Sequence, residues 1–263
     1  MDPSVERLLR SLQAAGVRRL PAPRRAPGAS RPAEAARAAP GVEPPSRARV
    51  TTPAYRAPAA STPGLFSSAR AAPPRPSDPA AELLAVAAEV AACRRCKLCE
   101  GRQHAVPGEG SPQARILFVG EGPGAEEDRT GRPFVGRAGQ LLDDILVKGM
   151  KLARQDVYIA NVVKCRPPGN RVPEPDEVAA CAGYLDRQIA ALQPAVICAL
   201  GSTAARRLLD DERPLSSLRG RTHEFRGLPV IVTYHPAYLL RNPSAKALTW
   251  QDIQRVMELA RRG

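Results

Sequence analysis

Aromatic residues are scarce in this chain, at 4% of 263 residues, and large apolar residues of any kind are thinly spread over its first third. Between Leu20 and Pro79 the sequence is built from Pro, Ala, Arg, Ser and Gly, and 15 of the 28 prolines fall within the first 79 residues. Such a stretch buries too little apolar surface to offset the ordering of its backbone, which excludes a packed core there and predicts a disordered linker. No apolar run reaches the length of a signal peptide or a membrane span, so neither secretion nor membrane insertion is expected, and a cytoplasmic, reducing location is. Internal repeats are absent. Lysine is missing from residues 1 to 80, which hold 13 Arg against 5 acids, a net of +8, leaving 13 − 8 = +5 for the remainder. The basic charge that would favour a polyanion is therefore concentrated in the tail, where it predicts nonspecific, salt-sensitive nucleic-acid contacts.

What is present divides the chain in two. Residues 1–80 form the Pro/Ala/Arg-rich tail. Within it Val5, Leu8, Leu9 and Leu12 share one helical stripe, enough for a short N-terminal helix but marginal alone in water. Residues 81–263 form one domain of ordinary size, expected to be monomeric. There, strand patterns at Arg115–Val119, Val157–Val163, Ala195–Leu200 and Leu228–Tyr234 alternate with helical patterns at Gly139–Lys148, Asp176–Leu192, a segment capped by Ser202, and Trp250–Arg262. The alternation predicts an α/β fold, a three-layer sandwich with a mostly parallel central sheet. Ligand sites in such folds gather at the carboxyl ends of the strands, which singles out the loops beginning at Gly120, near Asn161 and at His235.

Six cysteines in a reducing location point to metal ligands or buried thiols rather than disulfides. Cys93-x-x-Cys96 has the spacing by which a tight turn grips one metal, and Cys165 and Cys181 are available to complete a four-thiolate site. Iron–sulfur clusters and zinc both accept four Cys, and spacing does not separate them. Cys99 extends the run to Cys-x-x-Cys-x-x-Cys, but Gln103 stands where a ferredoxin-like motif needs its fourth Cys, so Cys99 reads as a spare thiol and Cys198 as core filling.

Gly120-x-Gly122-x-x-Ala125 after a strand also fits a loose dinucleotide-binding pattern. Pro123 removes a backbone donor, and Glu126, Glu127 and Asp128 place carboxylates where a pyrophosphate needs a positive helix end, so an anionic ligand is disfavoured.

The blocks Gly120-Glu-Gly-Pro-Gly-Ala-Glu-Glu-Asp through Leu142, Asn161-Val-Val-Lys-Cys-Arg-Pro-Pro-Gly-Asn-Arg171 and His235-Pro-Ala-Tyr-Leu-Leu-Arg-Asn-Pro243, with Leu200-Gly-Ser-Thr-Ala204 and Leu218-Arg-Gly220, closely resemble the family 4, iron–sulfur, thermophile-type uracil-DNA glycosylases. The resemblance covers roughly residues 88 to 260. It implies a monofunctional glycosylase that hydrolyses the N-glycosidic bond of deoxyuridine in single- or double-stranded DNA, releasing uracil and leaving an abasic site. It further implies a structural [4Fe-4S] cluster on Cys93, Cys96, Cys165 and Cys181. Uracil would be bound by Gly120, Glu121, Gly122, Phe134, Asn161 and His235; His235, Glu127 and Glu121 would be catalytic, with Glu127 favoured for the water. Leu239, supported by Leu240 and Arg241, would wedge into the gap left by the flipped base. The alternative from another class is a noncatalytic iron–sulfur module that binds DNA or nucleotide.

Overall fold

Asp78 and Pro79 start the first described helix by two local devices: the Asp78 carboxylate accepts from the Ala81 N–H at 3.0 Å, and Pro79 sits where its missing N–H costs no hydrogen bond. The computed structural model describes residues 74–262, all within the unit Ala59–Gly263. The helix expected around Leu8 and the greater part of the expected linker lie outside the described residues.

Helix α1 (Pro79–Ala92) buries Val86 and Val90 against Tyr184, and α2 (Leu98–Gly101) is a single turn after the first cysteine pair. Then come β1 (Glu109–Gly110), β2 (Ile116–Gly120), α3 (Ala125–Thr130) and α4 (Arg137–Asp144), which runs into a π-helical turn, Ile145–Met150. A 3-10 turn at Arg154–Asp156 leads to β3 (Tyr158–Asn161), and another at Pro168–Asn170 precedes α5 (Pro175–Leu192). β4 (Val196–Leu200), α6 (Ser202–Leu209), α7 (Leu215–Leu218), β5 (Thr222–Phe225), β6 (Leu228–Thr233), α8 (Pro236–Arg241) and α9 (Lys246–Arg262) complete the order.

The six strands form one sheet in the order β1-β3-β2-β4-β6-β5. The inner four run parallel, and the two outer strands pair antiparallel. Each inner strand is covered on both faces, so its apolar residues alternate between two cores. Leu117, Val119, Ile197 and Val232 pack with Leu185 of α5 and Leu208 of α6. Ile116, Phe118, Cys198 and Ile231 pack with Leu142 of α4 and Ile253 of α9. Burying a side chain such as Phe118 contributes about 1.5 to 3 kcal/mol. Register aligns Gly120 with Asn161 and Leu200 with Thr233, so the last residues of all four parallel strands meet at one rim.

The three-layer α/β expectation holds, with local differences. Ser202 is the first helical residue of α6 rather than its cap; that position belongs to Gly201, whose φ of 93° a side chain would rarely adopt. The strand expected to reach Val163 stops at Asn161, because Val162 and Val163 instead donate to the Gly120 and Glu121 carbonyls of the neighbouring loop. The closing helix starts a turn earlier, at Lys246. The edge strands β1 and β5 carry no apolar run: β1 has two residues, and β5 alternates exposed and half-buried positions before Phe225.

Candidate active site

Four strand ends at one rim deliver four loops, and between them lies a cavity of about 490 Å³ whose lining includes Glu121, Phe134, Asn161, Ser202, His235 and Arg241. Gly120 ends β2 where any side chain would collide: a Cβ there would stand against Asn161 Oδ1 and 2.6 Å from Phe134 Cζ. Glycine therefore lets the aromatic ring and the amide close over the strand end. Phe134 is buried, carries a positive φ of 50°, and its ring lies 5.5 Å from the His235 ring at an interplanar angle of 34°. A non-glycine residue held in the left-handed region stores strain of a kind that concentrates at binding sites. The three residues expected to hold one small ligand are thus brought together.

Asn161 is 1% exposed, and its Oδ1 has no hydrogen-bond partner. A buried, unpaired amide oxygen costs about 1 to 3 kcal/mol, which a ligand donor in the cavity would recover. His235 caps α8, its Nδ1 accepting from the Ala237 N–H at 3.1 Å. An acceptor at Nδ1 puts the proton of a neutral imidazole on Nε2, leaving that nitrogen a donor. Burial lowers the His235 pKa to about 4, with Arg241 adding to the effect and Glu127 opposing it, so the ring is neutral at physiological pH.

The three carboxylates of the first loop differ in what they touch. Glu127 accepts from three backbone N–H groups, Val135 and Gly136 at 2.8 Å on Oε1 and Gly124 at 3.1 Å on Oε2, and so ties the loop after β2 to the loop that carries Phe134. Asp128 is buried and accepts from the Gln103 N–H at 2.9 Å. Glu121 lines the cavity, and one of its oxygens accepts from the Thr203 hydroxyl. Both carboxylates line the cavity; Glu127, favoured for the water from sequence, also accepts from three backbone donors, whereas Glu121 accepts from one hydroxyl. Thr203 was missed by sequence reasoning; it stood inside the Leu200–Ala204 block, but nothing in that block marked its hydroxyl as a partner of Glu121. Gly122 borders the cavity as expected, close to Val163.

The three wedge candidates are placed differently. Leu239 is 1% exposed and faces a second groove beside Leu141 and Ile253. Leu240, at 38%, is the exposed leucine of α8, and Arg241 reaches the cavity rim. The helical turn at Pro236–Arg241 explains the difference in exposure, since adjacent helical residues point about 100° apart. His104 is exposed and His223 half-buried, and neither lines the cavity.

Of the four expected ligands, Cys165 and Cys181 are buried and Cys93 and Cys96 half-buried; Cys96, Cys165 and Cys181 pack into the same apolar cluster. Among the described residues no three His, Cys, Asp or Glu side chains stand close enough together to hold an ion. The donor chemistry nonetheless fits an anionic thiolate centre. Arg102 donates to Cys165 Sγ at 3.0 Å. Lys164, 1% exposed, donates to the neutral acceptors Asn161 O at 2.9 Å and Gln188 Oε1 at 2.6 Å. Burial raises the Cys181 thiol to about 11 and lowers Lys164 to about 7. Burial keeps these thiols protonated and the neighbouring Arg102 and Lys164 oppose it; bound to a metal centre as thiolates, they would be balanced by those two basic groups. Cys99 is half-buried in the turn after Cys96, and Cys198 lies in the sheet core, the core filling expected of it.

The sequence model described as the uracil DNA glycosylase superfamily matches residues 107–254, which defines the class to which this rim and cavity belong. Named relatives are more specific. A type-4 uracil-DNA glycosylase of Sulfurisphaera tokodaii is 44% identical over 180 residues, 65% of this chain and 82% of the relative. That of Thermotoga maritima is 48% identical over 179 residues, 66% of this chain and 93% of the relative, and that of Saccharolobus solfataricus 43% over 181 residues, 66% and 84%. The chain belongs to the type-4 uracil-DNA glycosylase family.

Proposed function

We propose that the protein excises uracil from DNA by hydrolysing the N-glycosidic bond, as the first step of base excision repair, without cutting the strand. The observation that carries this reading is the unpartnered Oδ1 of Asn161, buried in the cavity wall beside the Phe134 ring. Uracil presents an N3–H donor to that oxygen and an O4 acceptor to the same amide's nitrogen, whereas cytosine presents the reverse and would leave both buried groups unpaired. A stacked base is out of reach, so the nucleotide swings into the cavity, with Leu240 entering the vacated gap.

As the bond breaks, negative charge develops on uracil and positive charge on the sugar. Nε2–H of neutral His235 donates to the uracil oxygen that gains charge; a preorganised donor of this kind is worth about 10² to 10³ in rate. Glu121, steadied by Thr203, orients the attacking water and faces the cationic sugar, while Glu127 keeps Phe134 in place. Cys93, Cys96, Cys165 and Cys181 would hold a [4Fe-4S] cluster, which when bound supplies a four-point covalent tie between the segment after α1, the loop after β3, and α5. Zinc on the same thiols predicts a colourless protein; the cluster predicts a brown one. The substrate is uracil-containing DNA, single- or double-stranded, the enzyme acts as a cytoplasmic monomer, and the Arg-rich tail adds salt-sensitive affinity.

The test is incubation with a uracil-containing oligonucleotide, chromatography for the free base, and alkali to reveal the abasic site. The reading expects free uracil and an alkali-labile strand that is intact before alkali. Retention of the oligonucleotide with no base released would indicate a noncatalytic binding module instead.

A further inference from the structure

The Phe134 ring is useful as a stacking platform only if its backbone stays in an unfavourable conformation. Its φ is 50°, and Gly139, one turn into α4, is packed so closely beneath it that a Cβ there would overlap the Phe134 carbonyl. On the N–H side the loop is tied by Glu127, which takes the Val135 and Gly136 donors. The carbonyl side is tied by a residue outside every block that resembles the family. Arg154, in the 3-10 turn before β3, donates to the carbonyls of Pro133 and of Phe134, the latter at 3.1 Å. The same guanidinium pairs with Asp143 of α4 at 2.9 Å and with Glu109 of β1 at 3.3 Å, where Arg132 also binds and holds the Glu109 carboxyl below its ordinary range.

We infer that Arg154 is a positioning residue for base binding: its planar fork grips two successive carbonyls, and the carboxylates of Glu109 and Asp143 fix the fork, so that Phe134 is held in its strained conformation before any base arrives. The inference rests on the proposal that Phe134 stacks against uracil. Arginine suits the task because one rigid group presents several donors in fixed directions; an ammonium provides the charge without the fork. Preorganisation improves binding by removing the ordering that would otherwise accompany it.

The experiment compares wild type with Arg154→Met and Arg154→Lys, measuring the inhibition constant of free uracil, kcat and KM on a uracil oligonucleotide, and melting temperature. With the platform loosened, the uracil inhibition constant and KM rise together by about tenfold, within the range that base–aromatic stacking supplies, and kcat at saturation falls less. Lysine keeps the ion pairs with Glu109 and Asp143 but does not restore uracil binding. Arg154→Lys is also the fallback should the methionine variant fail to fold. A lysine variant with wild-type uracil binding would reduce Arg154 to a surface ion pair and overturn the inference, as would a methionine variant that melts lower yet binds uracil normally. Free uracil that fails to inhibit even the wild type would instead sink the stacking reading itself, so the two failures are told apart.

Discussion

Asn161 and His235 contribute to the cavity in opposite senses, one as a buried acceptor awaiting a donor and the other as a donor awaiting developing charge. Asn161→Ala removes the amide that pairs uracil, and since such a hydrogen bond with its desolvation is worth about 1 to 3 kcal/mol, kcat/KM on uracil DNA is expected to fall about ten- to a hundredfold with the fold intact by circular dichroism. For His235 the pH dependence follows from its lowered pKa. The unfolded chain binds a proton at this ring below about 6.5, and the native state only below about 4. Native stability from this group is therefore fully present above about 6.5 and is lost as pH falls toward about 4, the native state resisting protonation throughout that window. Single-turnover rates should accordingly show no inflection from His235 between about pH 5 and 8, whereas an ordinary histidine would titrate near 6.5; an inflection there that disappears in His235→Gln would contradict a neutral donor.

Helix α8 turns Leu239 into the protein and Leu240 toward solvent. Leu240→Ala should slow excision from duplex DNA more than from single strands, where no stack has to be refilled, and leave melting unchanged, because the side chain is exposed. Leu239→Ala should instead lower stability by about 2 to 5 kcal/mol through the cavity it leaves, measured by denaturant unfolding. That distinction was not legible in the sequence, since Ala237-Tyr-Leu-Leu-Arg241 states which residues are apolar but not which way a short helix turns them. The four parallel strands were legible because they are buried on both faces and read as unbroken apolar runs. β1 and β5 were not, because two residues paired only along one edge carry no periodicity, and a half-exposed edge strand reads like a loop. The backbone partners of Glu127 were hidden for a similar reason: a carboxylate three residues into a helix looks the same in sequence whether or not it meets backbone N–H groups.

At the scale of the whole molecule, the loop bearing Asn161 and the cysteine segments are joined through Lys164, whose ammonium holds the Asn161 carbonyl one residue before Cys165 in the chain. With the proposed cluster on these thiols, Cys165→Ser should therefore lower visible absorbance and iron content and also weaken uracil binding, although Cys165 does not line the cavity. Removal of residues 1–73, which hold most of the tail's arginines, should weaken DNA binding and flatten its salt dependence while leaving the single-turnover rate at saturation unchanged. The most direct test of the central claim, that the rim is a slot for an unstacked uracil read by Asn161, is a crystal structure of the protein soaked with free uracil. The account expects the ring over Phe134, N3–H within hydrogen-bond distance of Asn161 Oδ1, and His235 Nε2 on a uracil oxygen; uracil bound elsewhere, or bound in the cavity with Asn161 Oδ1 still unpartnered, would contradict it.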